Sequence, residues 1–358
     1  MSMRVGVINT DESLRFALKQ AVRAVEGLEL AWSAPSGPEG LKRCREDIPD
    51  VVLVDLAGPM LNGPRVVKAI MEESPCAVLI AARDPEAHPG KVFEAMGHGA
   101  LDAVRIPELS PSGELQGLEE LRDKILTISK LLGHADKSPQ ASPPHPAVRR
   151  EAADLPRLLA IGSSTGGPKA LANVLQVLPK SFPAAVVVIQ HVDKQFSEGL
   201  AKWLRHQCAL PVRVAREGEP LSPGEVLIAE TDDHMALGPD RLLRYTPEPR
   251  KYPYRPSVDI FFKSLVAHPF PSSAGVLLTG MGRDGAEGLL ALRRAGWFTV
   301  AQDQSTSTVY GMPKAAKELD AATRILPDTE IGIVVVRRLL SPTDGNGPAA
   351  GPKLEKHA

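Results

Sequence analysis

The sequence predicts an α/β protein of two doubly wound, parallel-sheet units, and three observations carry that prediction. Short apolar runs of strand length alternate with segments of helical period. This rhythm occurs twice, separated by a proline-rich stretch. Aromatic residues are only 4% of the chain, so the core must be aliphatic, as in buried parallel strands and the helices that cover them.

The elements follow in order. In the first unit, strands are expected at 4–9 (RVGVIN), 51–56 (VVLVDL), 77–82 (AVLIAA) and 101–104 (LDAV). Leu14, Ala17, Leu18, Ala21, Val22 and Val25 recur at helical spacing, as do Val66, Ala69 and Ile70, and a closing helix spans 115–132 before Gly133. Proline then replaces periodicity. This divides the chain into a unit at 1–130, a linker at 131–154, a unit at 155–340 and a disordered tail at 341–358. The second unit reads as strand 157–161, helix 168–178, strand 185–190 and helix 195–207. Pieces at 212–215, 225–229 and 241–245 look like an antiparallel excursion, since Pro, Gly and Asp separate them. Helix 257–267, strand 274–279, helix 285–295, strand 298–301 and helix 313–319 complete it.

Composition excludes several classes. Forty-two Lys+Arg balance forty-three Asp+Glu, so no basic excess exists to hold nucleic acid. No apolar stretch approaches the ~18–20 residues of a membrane span, and the N-terminus lacks a secretory pattern. Three cysteines without short spacing indicate reduced thiols, and the expected location is the cytoplasm.

The chemistry concentrates in the second unit. Gly162-Ser163-Ser164-Thr165-Gly166 fits a G-x-S-x-G elbow between strand and helix, which exposes a serine above the sheet edge. Ser164 is the candidate nucleophile, with amides near Thr165 and Gly166 as oxyanion donors. The same glycines suit a phosphate loop at a helix N-terminus, so this motif alone leaves two readings open. His191 ends the run AVVVIQ and is the candidate base; Asp284, in GMGRDG, is the candidate orienting carboxylate. All three follow strands at the edge where open α/β sheets build their sites.

The motifs IGSSTGGPKAL at 161, QHV at 190, HMAL at 234, RPSVD at 255, LTGMGRDGA at 278, AQD at 301 and GMP at 311 resemble the chemotaxis protein-glutamate methylesterase family. The resemblance implies a Ser164, His191, Asp284 triad, with Met281 in a loop supporting the oxyanion site. It implies hydrolysis of glutamate methyl esters on chemoreceptor cytoplasmic helices, with release of methanol and no cofactor, and deamidation of receptor glutamines in some relatives. It further implies a monomer partnered to chemoreceptors and a chemosensory histidine kinase. A non-catalytic docking module is the alternative. His234, Arg255 and Ser257 are candidates for the pocket rim, alongside hairpin and helix-cap roles.

Residues 3–128 resemble a response-regulator receiver, a flavodoxin-like fold, with Asp55 at the phospho-acceptor position. Phosphoryl transfer to a carboxylate also needs magnesium, a hydroxyl and a lysine. Here Asn9 and Thr10 replace the acidic pair, with Asp11 one place late; Ala81-Ala82 replace the hydroxyl and Ile106 the lysine. Asp11 or Glu12 shifting into the metal site, and Arg105 standing in for the lysine, are the alternatives. The expectation is a degenerate receiver with an impaired magnesium site, serving for docking or inhibition.

Overall fold

The computed structural model describes residues 2–340 except 57, 59–60, 111–114, 132–154, 193, 231, 251 and 253. The expected linker (apart from residue 131) and tail lie outside the described residues.

The first unit runs β1 (Met3–Ile8), α1 (Glu12–Ala24), β2 (Leu28–Ala34), α2 (Gly37–Glu46), β3 (Val51–Asp55), α3 (Gly63–Glu73), β4 (Ala77–Ala82), α4 (Pro89–Gly97) and β5 (Asp102–Arg105). A short antiparallel pair, β6 (Glu108–Leu109) and β7 (Leu115–Gln116), and α5 (Leu118–Leu131) complete it. The sheet order is β2-β1-β3-β4-β5, with every pairing parallel. Every residue of β3 is buried, as helices on both faces require. The closing helix begins at Leu118, not 115, because Gly117 takes a φ of +76° and breaks the chain between β7 and α5. Two elements lack a clear sequence pattern: β2, an edge strand whose residues are mostly half-exposed, and α2, whose stretch GPEGLKRCRE is poor in apolar residues.

The second unit contains β8 (Arg157–Ser163), α6 (Gly167–Leu175), β9 (Ala184–Gln190), α7 (Lys194–Arg205), β10 (Val212–Val214), β11 (Val226–Ile228), β12 (His234–Leu237), β13 (Leu243–Thr246) and α8 (Val258–Leu265). It ends with β14 (Ala274–Leu277), α9 (Ala286–Arg294), β15 (Phe298–Gln302), α10 (Met312–Glu318), β16 (Arg324–Leu326) and α11 (Asp328–Leu340). Its sheet order is β10-β11-β9-β8-β14-β15-β16. The antiparallel excursion is therefore smaller than expected: β10 and β11 extend the main sheet in parallel, and only β12 and β13 form an antiparallel hairpin. The burial of β11 explains this, since all three residues are buried and an apolar run of that kind belongs inside a parallel sheet. The Pro- and Gly-containing segment before it is a crossover, not a turn.

Strand order reverses at β8, with β9 on one side and β14 on the other. A crevice opens at the carboxyl ends of strands at such a switch point. Ser164, His191 and Asp284 follow β8, β9 and β14 respectively.

The two units share one apolar cluster where α4 packs on α6 and α7. Phe93 is fully buried, edge-on to Phe196 at 6.5 Å and 6.4 Å from Trp203. Gly199 permits this approach, because a Cβ there would lie 2.4 Å from the Pro89 Cβ.

Candidate active site

The nucleophile turn is braced from below. Ser163 is in register with Gln190, so Ser164 and His191 leave the sheet side by side, and the His191 amide donates to the Ser163 carbonyl at 3.0 Å. The buried Gln190 accepts from Ser163 Oγ at 2.6 Å and donates to the Ser164 carbonyl at 2.9 Å. Gly167 N–H also donates to that carbonyl at 2.7 Å, closing the turn into α6. From the other side, the Ser164 amide donates to Thr279 O at 3.0 Å, and Thr279 N–H donates to the buried Gln302 at 2.7 Å. Two glycines are steric requirements. A Cβ at Gly167 would meet Gln190 Oε1 at 2.1 Å, and Gly166 has a φ of +77° with Thr308 2.3 Å from its Cβ position. The positive end of the α6 dipole thus points at the turn.

His191 Nε2 lies 2.8 Å from Asp284 Oδ2. A carboxylate only accepts, so Nε2 carries a proton, and in the neutral imidazole Nδ1 then holds the lone pair. Nδ1 is buried with no hydrogen-bond partner. Asp284 also accepts from Ser257 Oγ at 2.8 Å and from the amides of Val258 at 2.7 Å and Asp259 at 3.1 Å, at the N-terminus of α8. Burial works to raise its pKa, but His191, Ser257 and Val258 together outweigh burial and hold the carboxyl below its ordinary value. Tyr254 stacks on the His191 ring at 4.7 Å with planes 5° apart, which fixes the ring from its face.

Ser164, Thr165, His191, Tyr254 and Arg255 line one cleft of about 280 Å³. Its opposite wall comes from the first unit, through Phe93, Met96, Asp102 and Lys124. Two roomier grooves, of about 510 and 540 Å³, lie at the amino end of the sheet beside Leu155 and between the units beside Trp203. Neither brings a hydroxyl or thiol beside a histidine among its described lining residues.

Of the expected rim residues, only Arg255 lines the cleft. His234 and Ser257 are completely buried, so their place at the rim is corrected; Ser257 is the N-cap of α8, accepting from Ile260 N. Gly166 and Met281 lie in the turns around the cleft but not among its lining residues. Gln190, Thr279, Gln302 and Tyr254 join the site without a distinguishing sequence signal of their own, although QHV, LTG and AQD contain the first three.

The first unit has a different character. Asp55 is buried at the end of β3, and Thr10 faces it: both Thr10 Oγ1 and Asp55 Oδ2 approach the position a Cβ of Gly58 would occupy, at 2.0 and 2.9 Å. Thr10 Oγ1 and the amide Nδ2 of the buried Asn9 have no hydrogen-bond partner. An amide N–H₂ is a donor and repels a cation. Asp11 instead caps α1, accepting from Ser13 and Leu14, while Glu12 is exposed. Arg105 turns outward to Glu86 at 2.8 Å and so does not stand in for the lysine. These residues do not fit the magnesium ion that a receiver fold implies.

No helix among the described residues is long and apolar enough to cross a membrane. The profile of the CheB methylesterase family matches residues 159–335. A protein-glutamate methylesterase/protein-glutamine glutaminase of Cupriavidus metallidurans is 48% identical over 326 residues, covering 91% of this chain and 95% of that protein. A Bordetella avium protein of the same name is 47% identical, covering 91% and 94% respectively. The catalytic-domain crystal structure of Thermotoga maritima CheB methylesterase is 34% identical with a TM-score of 0.49, covering 51% of this chain and 97% of that one. On the near-full-length similarity to the Cupriavidus and Bordetella proteins, the chain belongs to the CheB methylesterase family.

Proposed function

We propose that the chain hydrolyses glutamate methyl esters on the cytoplasmic helices of chemoreceptors, with Ser164 as nucleophile, His191 as base and Asp284 as orienter. One observation carries this reading: an imidazole tied to a buried carboxylate keeps its basic Nδ1 unpaired in the cleft that Ser164 lines.

The geometry supports these roles. Nδ1 takes the Ser164 hydroxyl proton as Oγ attacks the ester carbonyl, and the imidazolium so formed is stabilised by Asp284. The oxyanion is assigned to the amides of Thr165 and Gly166, in the turn beside Ser164, with support from the Met281 loop; one such donor is worth about 10²–10³-fold in rate. His191 returns the proton to the departing methoxide, which leaves as methanol. Water, deprotonated by His191, then releases the glutamate and restores Ser164. A glutamine substrate follows the same path with ammonia as leaving group, which is the glutaminase half of the relatives' name.

Residues 1–130 are a degenerate receiver joined through 131–154 to the esterase unit at 155–340. The unpaired Thr10 hydroxyl beside Asp55 and the unpaired Nδ2 of Asn9 support this reading, and the receiver wall across the cleft supports an inhibitory role. The chemoreceptor is the partner, with a chemosensory kinase upstream, and the protein acts in the cytoplasm.

The test is methanol release from a methylated receptor. Ser164→Ala should lower the rate by about 10⁶-fold, to the assay floor. Near-full activity in that variant would refute the assignment.

A further inference from the structure

Behind Asp284 lies a layer of polar groups that the steps above leave unused. His234, the first residue of β12, is completely buried and has both ring nitrogens engaged. Ser257 N–H donates to Nδ1 at 3.2 Å, and Nε2 lies 3.3 Å from the Pro249 carbonyl. A backbone N–H only donates and a carbonyl only accepts, so a single neutral tautomer, protonated on Nε2, satisfies both. Burial first of all pushes the His234 pKa down, and the charges facing it are those of Arg255, Asp284 and Asp233. The ring therefore stays neutral near neutral pH.

We infer that His234 is a positioning residue for this site: by accepting the Ser257 N–H it fixes the start of α8, whose donors hold Asp284 against His191. The inference rests on the roles given above to His191 and Asp284. Three of the four donors to Asp284 come from consecutive residues, Ser257 Oγ and the amides of Val258 and Asp259; the fourth is His191 itself. The carboxylate is thus aimed by one short piece of backbone. That piece is anchored behind Ser257 by the His234 ring, and the ring is carried on a hairpin in which His234 pairs with Thr246. Without an acceptor at 234, the Ser257 N–H is buried and unpaired, and all three donors are free to shift together. A small rotation of Asp284 then misdirects His191 Nδ1, and misplacement of about 1 Å can cost 10²-fold in rate.

The test uses the full chain and methanol release from methylated receptor. His234→Leu keeps an apolar group of similar size without an acceptor; it should lower kcat about 10–100-fold with KM nearly unchanged. His234→Asn presents an amide oxygen to Ser257 N–H and should recover most of the lost kcat. In the wild type, ¹⁵N resonances of His234 near neutral pH should show a bare Nδ1 and a protonated Nε2. An unchanged kcat in a folded His234→Leu protein, equal losses in the Leu and Asn variants, or a protonated Nδ1 would each overturn the inference. If His234→Leu does not fold, the decision falls to the tautomer together with a kcat for His234→Asn near that of the wild type. Inactivity of the wild type would fault the esterase reading instead, and the tautomer would still judge His234.

Discussion

Asp284 and Asp55 are both buried carboxylates at the carboxyl edges of parallel sheets, yet the residues around them differ in kind. Asp284 accepts four hydrogen bonds, orients a histidine and sits at a helix N-terminus. Asp55 lies beside the Thr10 hydroxyl, which like the Nδ2 of the neighbouring Asn9 has no hydrogen-bond partner, while Asn9 Oδ1 accepts from the Asp11 amide at 2.9 Å. The fold supplies the place in each case, because doubly wound sheets open a crevice there. The chemistry depends on the neighbours, and among the described residues the second unit alone brings a histidine and a hydroxyl to its carboxylate.

The largest effect that sharpens this contrast is expected at the orienting carboxylate. Asp284→Asn keeps the size of the group but removes the charge that stabilises the imidazolium; kcat should fall about 10⁴-fold in the methanol assay. A loss of less than tenfold would demote Asp284 to a structural acceptor.

A smaller effect tests the contact between the units. Gly199→Ala places a Cβ against Pro89 and Phe93 from the esterase side, leaving the receiver's own core intact. The wedge should part α4 from α7, raise methanol release severalfold and increase protease sensitivity between the units. An unchanged rate would mean that the first unit does not shade the cleft.

The smallest effect concerns pH. Burial first, and the Asp284 charge second, push the Asp259 carboxyl up from 3.8 to about 6. Between those values the native state binds the proton that the unfolded state has lost, so this group's contribution makes stability fall as pH rises, then level off above the upper value. Asp284 acts with the opposite sign: its stabilisation is present above the ordinary carboxyl value and lost as pH falls through its lower native value. Asp259→Asn should therefore gain about 1–2 kcal/mol over the wild type at neutral pH, a gain that shrinks toward the ordinary carboxyl value. Urea unfolding at the two pH values measures the difference; a constant gain would remove the titration from the explanation.

Much of the second unit was legible in the sequence because buried parallel strands are nearly continuous apolar runs. AVVVIQ ends abruptly at His191, and the strand before GMGRDG ends near Asp284, so the positions of these residues could be read without coordinates. The braces could not. Gln190 touches Ser163 across 27 positions and Thr279 touches Gln302 across 23, and strand register rather than local pattern brings them together. Tyr254 over His191, and the burial of His234 behind Ser257, depend on how the segment between β13 and α8 folds back. The expected antiparallel pairing over 212–229 gives way to parallel strands for a similar reason, since a crossover and a turn share Pro and Gly. In the receiver, Asn9 and Thr10 were legible as departures; that Asp11 caps α1 and Arg105 pairs with Glu86 required the structure.

On the reading proposed above, one chain carries a working esterase site and a receiver without a magnesium-dependent switch. The most direct measurement is methanol release by the full-length protein with and without a small phosphodonor and magnesium. The expected result is a Ser164-dependent rate that these additions leave unchanged, with no label on Asp55. Stimulation by phosphodonor and magnesium that disappears in Asp55→Asn would contradict it.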